Sequence, residues 1–219
     1  MPNLTARLLI VDDEDTITTA LSAIFRGLGY KVQTAADGFS ALRRLRIDVP
    51  DILLSDLNMP GLSGFELLSV VRRRFPEIYV IASSASFSGE EVPPGIAADA
   101  FHEKSTGLER LFSLVKAGTH KKHIRSGWDA ATPIWISRPE ADNSSMNKLP
   151  IACPECLRAF SLAPDTPDLS IKETSCVLCN ATIRYAVVPR VGPAVTYGAP
   201  GRKSQCGSSF EDNFAPACV

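Results

Sequence analysis

Several carboxylates stand directly after apolar runs of the sequence, where they are well placed to bind a metal ion. Asp12 and Asp13 follow Leu8–Val11, and Asp56 ends the run that begins at Asp51. The carboxyl ends of the strands in an open parallel sheet line one crevice, where such folds bind ligands. Carboxylates gathered in that crevice repel one another, and Mg²⁺, which prefers oxygen ligands, would hold them together. The spacing therefore predicts a magnesium site at the strand ends.

A second group with chemical potential consists of four cysteines in two Cys-x-x-Cys pairs. These are Cys153, Cys156, Cys176 and Cys179. Two such pairs supply four thiolates for a tetrahedral, structural Zn²⁺, and residues 150–190 resemble a zinc ribbon. So short a segment buries little apolar surface, so we expect metal binding to provide its folding free energy. The alternatives are a redox-active thiol pair and unligated buried cysteines. Cys206 and Cys218 fit neither pair and are expected to be free thiols.

The elements that position the carboxylates can be predicted from hydrophobic periodicity. Short β-branched runs alternate with longer segments of helical period, which predicts βα units around a parallel sheet. The predicted strands are 7–11, 31–34, 51–55, 78–83 and 100–103. The predicted helices are 15–28, 38–46, 64–74 and 107–117. A further helix is due between the fourth and fifth strands, but Pro93 and Pro94 make it short or broken.

Residues 1–120 resemble a response-regulator receiver domain of two-component signalling. The matching positions are Asp12 and Asp13 after the first strand, Asp56 after the third, Met59-Pro60-Gly61 behind it, a hydroxyl after the fourth strand and Lys104 after the fifth. The resemblance implies an α/β fold, with a flavodoxin-like, doubly wound sheet of five parallel strands. The small zinc-ribbon β module would follow it.

The resemblance also implies a phosphorylation reaction. Asp56 would be the phosphoacceptor, attacking a phosphohistidine of a sensor histidine kinase or a phosphotransfer protein. Asp13 and Asp56 would bind Mg²⁺ directly, together with the backbone carbonyl of Asn58, and Asp12 would bind it through a water molecule. A receiver of this kind catalyses its own phosphorylation and turns over no external substrate, so the chain is not expected to be an enzyme.

Three further residues take roles from the same resemblance. Lys104 would pair with the phosphoryl group, and Ser84 would donate a hydrogen bond to it from the position where threonine is commoner. Ser83 and Ser86 are neighbouring hydroxyls that could take the place of Ser84. Phe101 is either a switch residue that follows activation or simply a core residue, since buried aromatics mainly supply packing area.

The sequence outside the receiver is expected to divide into three parts. Residues 121–149 are predicted to be a linker, because they show neither the helical nor the strand period of hydrophobic residues and contain proline. The apolar residues Trp128, Ile134, Trp135 and Ile136 interrupt this linker and either dock on a neighbouring domain or have no function. The module at 150–190 follows, and residues 191–219, rich in small residues and proline, are predicted to be disordered.

Charge and hydropathy limit the classes of partner and the cellular location expected for the chain. The chain has 23 basic and 24 acidic side chains and a net charge of -1, without the basic patch of a typical nucleic-acid binder. We therefore expect output through an unidentified protein partner. The alternative is a nucleic-acid-binding regulator whose module contacts phosphates through Arg158, Lys172, Arg184 and Arg190. A phosphorelay intermediate with a purely structural module is a third hypothesis. No membrane span or secretory signal is expected, which favours a cytoplasmic location.

Overall fold

The receiver half is built on one parallel sheet. The computed structural model describes residues 6–87, 96–120, 133–137, 148–163 and 170–188. The first five strands are β1 (Arg7–Val11), β2 (Lys31–Ala35), β3 (Ile52–Asp56), β4 (Tyr79–Ser84) and β5 (Ala100–Glu103). They lie in the order β2-β1-β3-β4-β5, and every pair is parallel. This is the flavodoxin-like arrangement that the sequence predicts, and the strand bounds differ from the expected ones by at most one residue.

Helices cover both faces of this sheet. They are α1 (Asp15–Gly27), α2 (Gly38–Leu45), α3 (Gly64–Arg74) and α4 (Leu108–His120). Phe25 of α1 and Val115 of α4 pack with the β1 residues Leu8 and Ile10 on one face. On the other face, α2 and α3 pack against alternate residues of the same strands. The broken helix expected over 88–95 lies outside the described residues.

Specific side-chain contacts fix the start of α2 and the end of α3. Asp37 caps α2, since its Oδ1 accepts a hydrogen bond of 2.6 Å from the backbone N–H of Ser40. The far end of α3 is fixed by a buried ion pair, in which Arg72 Nη2 lies 2.6 Å from Asp99 Oδ2. Because both of these side chains are only 1% exposed, α3 is fastened to the edge of β4 by a contact that water does not screen.

The C-terminal region consists of short strands. They are β6 (Ile134–Ser137), β7 (Leu149–Ala152), β8 (Ala159–Leu162), β9 (Lys172–Ser175) and β10 (Thr182–Val188). β10 lies between β6 and β9, parallel to the first and antiparallel to the second. β7 and β8 form a separate antiparallel pair. None of the helices in the described ranges is long and apolar enough to cross a membrane.

The segment predicted to be a linker, 121–149, contains the strand β6. Ile134 and Ile136 alternate with Trp135 along this strand, and both are 1% exposed in the core cluster that includes α3. A linker without secondary structure is therefore the wrong description of 134–137, because an alternating apolar pair reaches the receiver there and pairs with β10. The remainder of the expected linker, including Trp128, and the predicted tail at 191–219 lie outside the described residues.

Candidate functional site

The predicted phosphoacceptor lies at the carboxyl edge of the sheet beside a lysine. Asp12 and Asp56 are almost fully buried, at 4% and 5% exposure. Lys104 stands between them, with its Nζ 2.9 Å from Asp12 Oδ2 and 3.2 Å from Asp56 Oδ1. Three residues from three strand ends, β1, β3 and β5, thus meet in one crevice, as the strand-end spacing predicts.

Burial and charge oppose each other in this crevice. Burial raises the pKa of Asp56, and the nearby Lys104 only partly offsets the rise. Burial would lower the pKa of Lys104, but its hydrogen bond and charge interactions with Asp12 and Asp56 outweigh burial and raise that pKa. The lysine therefore stays protonated and supplies the fixed positive charge of the site.

The loop after Asp56 is held tightly against α3. Asp56 Oδ2 accepts a hydrogen bond of 3.1 Å from the backbone N–H of Asn58. Gly64, the first residue of α3, donates its N–H to the carbonyl of Leu57 at 3.1 Å. A Cβ on Gly64 would lie 2.0 Å from the carbonyl oxygen of Asp56, so only glycine fits this position. The phosphoacceptor loop and the start of α3 consequently form one packed unit.

Of the candidate serines, Ser84 is the one that lies beside Asn58. Its buried Oγ accepts hydrogen bonds from Asn58 Nδ2 at 3.4 Å and from the backbone N–H of Ser86 at 3.0 Å. The Asn58 amide also donates to Ser86 Oγ at 3.0 Å. Ser83 instead points to the buried His102, with 3.2 Å between Ser83 Oγ and His102 Nδ1.

Two features of this neighbourhood were missed by sequence reasoning. The buried His102 contacts Ser83, and burial lowers the pKa of its imidazole. Phe101, only 1% exposed, ends a row of rings in which Phe87 lies 6.5 Å from Phe101 and 6.2 Å from Phe65 of α3. The sequence offers no period that links Phe65 to Phe87.

The residues expected to hold Mg²⁺ fit a hard cation in their chemistry. Asp12 and Asp56 converge as buried carboxylates, and carboxylate oxygens are the ligands that Mg²⁺ prefers. Asp13 is exposed at the mouth of the crevice. Within the described residues these carboxylates are not among the groups of three or more side chains that could hold a metal ion, and Lys104 lies between two of them.

The four cysteines do form such a group. Their sulfur atoms all lie within 4.8 Å of one another, with 3.7 Å between Cys153 and Cys179 and 3.8 Å between Cys156 and Cys176. A tetrahedral ion with Zn–S bonds of about 2.3 Å would place its sulfurs about 3.8 Å apart. These two separations match the edges of that tetrahedron and are far too long for disulfide bonds, which measure about 2.05 Å.

Both Cys-x-x-Cys turns have the same backbone design. Leu157 follows the first pair and Asn180 the second, and both have positive φ, at 54° and 59°. The N–H of Leu157 donates to the carbonyl of Cys153 at 2.9 Å, and the N–H of Asn180 donates to that of Cys176 at 2.8 Å. The repeated left-handed turn places two sulfurs from each segment on one side.

The thiols differ in acidity because they differ in surroundings. Burial raises the pKa of Cys153 to about 12 and also raises that of Cys156. Burial acts in the same direction on Cys176, but backbone N–H donors from Leu178 and Cys179 outweigh it and lower the pKa to about 7. A bound cation would favour the thiolate form of all four.

A fully buried acid lies between the two candidate sites. Glu66 of α3 is 1% exposed, and its Oε1 accepts a hydrogen bond of 3.0 Å from the backbone N–H of Ala152, next to Cys153. Burial raises the pKa of Glu66 to about 8, against a smaller opposing effect of that hydrogen bond. Sequence reasoning missed Glu66, since Ser63-x-x-Glu66 is also the pattern of an ordinary capping box.

Comparison with known families now defines the class of the first half. Residues 8–116 match the family model described as response regulator receiver domain. This part of the chain is therefore a response regulator receiver domain, the class that the strand-end residues indicate. The zinc-ribbon resemblance of the C-terminal region rests on the cysteine geometry alone.

Curated proteins give the same assignment for this half of the chain. The chain is 34% identical over 113 residues to the transcriptional regulatory protein PrrA of Mycobacterium tuberculosis, covering 51% of this chain and 48% of that protein. It is 30% identical over 121 residues to the alkaline phosphatase synthesis transcriptional regulatory protein PhoP of Bacillus subtilis, covering 54% and 50%. The response regulator protein TrrA of Thermotoga maritima, solved in complex with Mg²⁺–BeF, is similar at 30% identity and a TM-score of 0.48, covering 52% of this chain and 99% of that one. The chain spans about half the length of the curated relatives it matches.

Proposed function

We propose that the chain is a response regulator whose Asp56 accepts a phosphoryl group from a phosphohistidine of a sensor histidine kinase or phosphotransfer protein. The observation that carries the proposal is Lys104, whose Nζ lies within 3.2 Å of both Asp12 and Asp56. The buried carboxylate of Asp56 supplies the nucleophile, and the lysine beside it supplies positive charge for the phosphoryl group under attack. The reaction would take place in the cytoplasm, and no external substrate would be turned over.

Each residue of the site has its own role in the proposed phosphoryl transfer. A carboxylate oxygen of Asp56 forms the bond to phosphorus while the bond between phosphorus and the donor's imidazole nitrogen breaks, and the electron pair of that bond stays on the imidazole. Lys104 pairs with the phosphoryl oxygens as a mobile point charge. Ser84 leaves Asn58 and donates its hydroxyl hydrogen to another phosphoryl oxygen. Phe101, on the neighbouring strand β5, would follow that movement as the switch residue.

A divalent cation completes the proposed site. Asp12, Asp13, Asp56 and the backbone carbonyl of Asn58 would hold Mg²⁺, directly or through water. The ion would supply positive charge to the phosphoryl oxygens, as divalent cations do in phosphoryl transfer. Its binding would also offset the repulsion between the carboxylates, which Lys104 now limits.

A labelling experiment tests the phosphoacceptor. Asp56→Asn should abolish the incorporation of label from radioactive acetyl phosphate with Mg²⁺, because the amide is not a nucleophile. Asp51→Asn is the matched control, since it makes the same change at the opposite end of β3, where Asp51 pairs with Arg7 at the surface. Label retained by Asp56→Asn would show that another residue accepts the phosphoryl group.

The C-terminal region, in this proposal, is a structural zinc ribbon. The support is the tetrahedral spacing of the four sulfurs, which leaves no ligand position open for catalysis. Metal analysis of freshly purified protein should give about one zinc ion per chain, and Cys153→Ser should lower this value strongly. Cys206→Ser, outside the two pairs, serves as the control. A ratio near zero in the wild-type chain would reject the zinc assignment.

Output through protein contacts is the favoured mode, and nucleic-acid binding is the alternative. PrrA and PhoP are named transcriptional regulators, but each is matched over only about half of this chain. Arg158 and Arg184 are the basic residues of the described module that phosphate binding would use, together with Lys172. A fluorescence titration of the zinc-loaded chain with duplex DNA at moderate and high salt separates the two modes, since phosphate contacts weaken as salt rises. Salt-dependent binding would favour the alternative.

A further inference from the structure

The receiver and the C-terminal region share a buried junction on α3. Ile134 and Ile151 belong to the same apolar cluster as Leu67 of α3. Inside this junction the carboxyl group of Glu66 binds the backbone N–H of Ala152 at 3.0 Å. A buried polar group has to find a hydrogen-bond partner, and Glu66 finds one on the other side of the junction. The contact therefore specifies how the two parts fit together as well as adding to their packing.

Each end of this connection lies next to a functional group. Ala152 directly precedes Cys153, the first thiol of the cysteine cluster. Gly64, two residues before Glu66, packs directly on the backbone of Asp56. The first turn of α3 consequently touches the phosphoacceptor loop on one side and the strand that carries the cluster on the other.

A second chain of contacts joins the same turn to the candidate phosphoryl-binding serine. Ser86 donates its N–H to Ser84 Oγ, and the next residue, Phe87, packs its ring against Phe65 and Phe101. Movement of Ser84 toward a phosphoryl group would therefore shift the ring that packs on the start of α3. Because the buried Arg72 pair fixes the far end of the helix, such a shift would be transmitted to the junction as a change of helix position.

We propose that metal binding at the cysteine cluster and phosphorylation of Asp56 are coupled through α3, with Glu66 as the positioning residue that joins the two sites. The proposal rests on the phosphoacceptor and zinc roles proposed above. The coupling is negative. In this structure the four sulfurs have separations that suit a metal ion, while the Ser84 hydroxyl is bonded to Asn58 and not placed to bind a phosphoryl group. A ligand shifts an equilibrium only through its preference for one state. Metal bound to the sulfurs would prefer this arrangement and would therefore disfavour the movement of Ser84 toward a phosphoryl group. By linkage, phosphorylation would weaken metal binding by the same factor.

The full chain provides the test without any substitution. The affinity for beryllofluoride with Mg²⁺, a phosphoryl mimic, is measured by calorimetry on zinc-loaded and chelator-treated protein. Zinc affinity is measured by competition with a chromogenic chelator, with and without beryllofluoride. We expect each ligand to weaken the other at least about 5-fold and by equal factors. Unchanged or strengthened affinities would overturn the coupling, whereas a chain that binds only one ligand would refute the proposed function instead.

Variants then locate the coupling. Glu66→Ala removes the acceptor of the Ala152 N–H and should bring both affinity ratios close to one. Glu66→Gln keeps a carbonyl acceptor and should retain the wild-type ratios. Ser69→Ala is the control on the same helix, because the Ser69 hydroxyl bonds to the carbonyl of Phe65 within α3. Wild-type ratios in Glu66→Ala would overturn the role of Glu66, and the wild-type measurement stands even if that variant does not fold.

Discussion

The receiver and the cysteine module hold their functional groups by different means. In the receiver, helices on both faces bury the central strands β3 and β4 completely, so that Asp56 and Lys104 are positioned by packing. The C-terminal region has only short strands in the described residues, and its buried residues Ile134, Ile136 and Ile183 share their cluster with α3. Packing explains the first site without a ligand, whereas the second, in our proposal, depends on both a bound metal and its contact with the receiver. The two regions should therefore respond differently to metal removal.

Removal of the metal is expected to have the largest effect, and only on one region. A structural zinc ion contributes about 10–16 kcal/mol in small zinc-finger peptides, so a module without it should unfold. We expect Cys176→Ser to remove hydrogen-exchange protection from the Ile183 and Val187 amides and to leave Leu53 of β3 protected. Hydrogen exchange with mass spectrometry on the full chain measures both regions together. Loss of protection at Leu53 as well would show that the regions form a single folding unit.

The reverse perturbation starts in the receiver. Gly64→Ala places a Cβ only 2.0 Å from the carbonyl oxygen of Asp56. Because the clash is with a backbone atom, a change of side-chain rotamer cannot relieve it. We expect a loss of about 3 kcal/mol in the free energy of unfolding of the receiver, measured by urea denaturation. Gly27→Ala is the matched control, because a Cβ there meets nothing within 4 Å and the residue is also helical. Equal losses in both variants would mean that the contact with Asp56 is not the cause.

The same contrast shows which features a sequence can predict. Strands β1 to β5 and the crevice of Asp12, Asp56 and Lys104 follow from apolar runs and from the rule that strand ends meet, both of which are local patterns. β6 was missed because its partner β10 is distant in the sequence and a strand of four residues has little periodicity. Glu66 was missed for the opposite reason, since a local capping pattern already explains a glutamate three residues after Ser63. Its real partner, Ala152, contributes only a backbone N–H, which no side-chain pattern reveals.

Glu66 gives the junction a pH dependence that can be measured. Burial raises its pKa to about 8, so the folded chain keeps a proton that the unfolded chain releases above its ordinary value of 4.5. This contribution to stability is complete below pH 4.5 and is lost as the pH rises toward 8. We expect the free energy of unfolding of the wild type to fall by about 3.5 kcal/mol more between pH 5 and pH 8 than that of Glu66→Gln. Parallel pH profiles from urea denaturation of the two proteins would contradict a neutral Glu66.

The smallest expected effects compare a local hydrogen bond in the receiver with a surface ion pair in the module. Asp37→Ala removes the acceptor that caps α2 and should cost about 1 kcal/mol of unfolding free energy. Glu173→Gln removes the partner of Arg184 at 3.6 Å, but the Glu173 side chain is 65% exposed, so we expect less than about 0.5 kcal/mol. Urea denaturation at low and high salt checks both, since only the ion pair should depend on salt. A larger loss in Glu173→Gln than in Asp37→Ala would mean that surface charge, in addition to metal and docking, holds the module together.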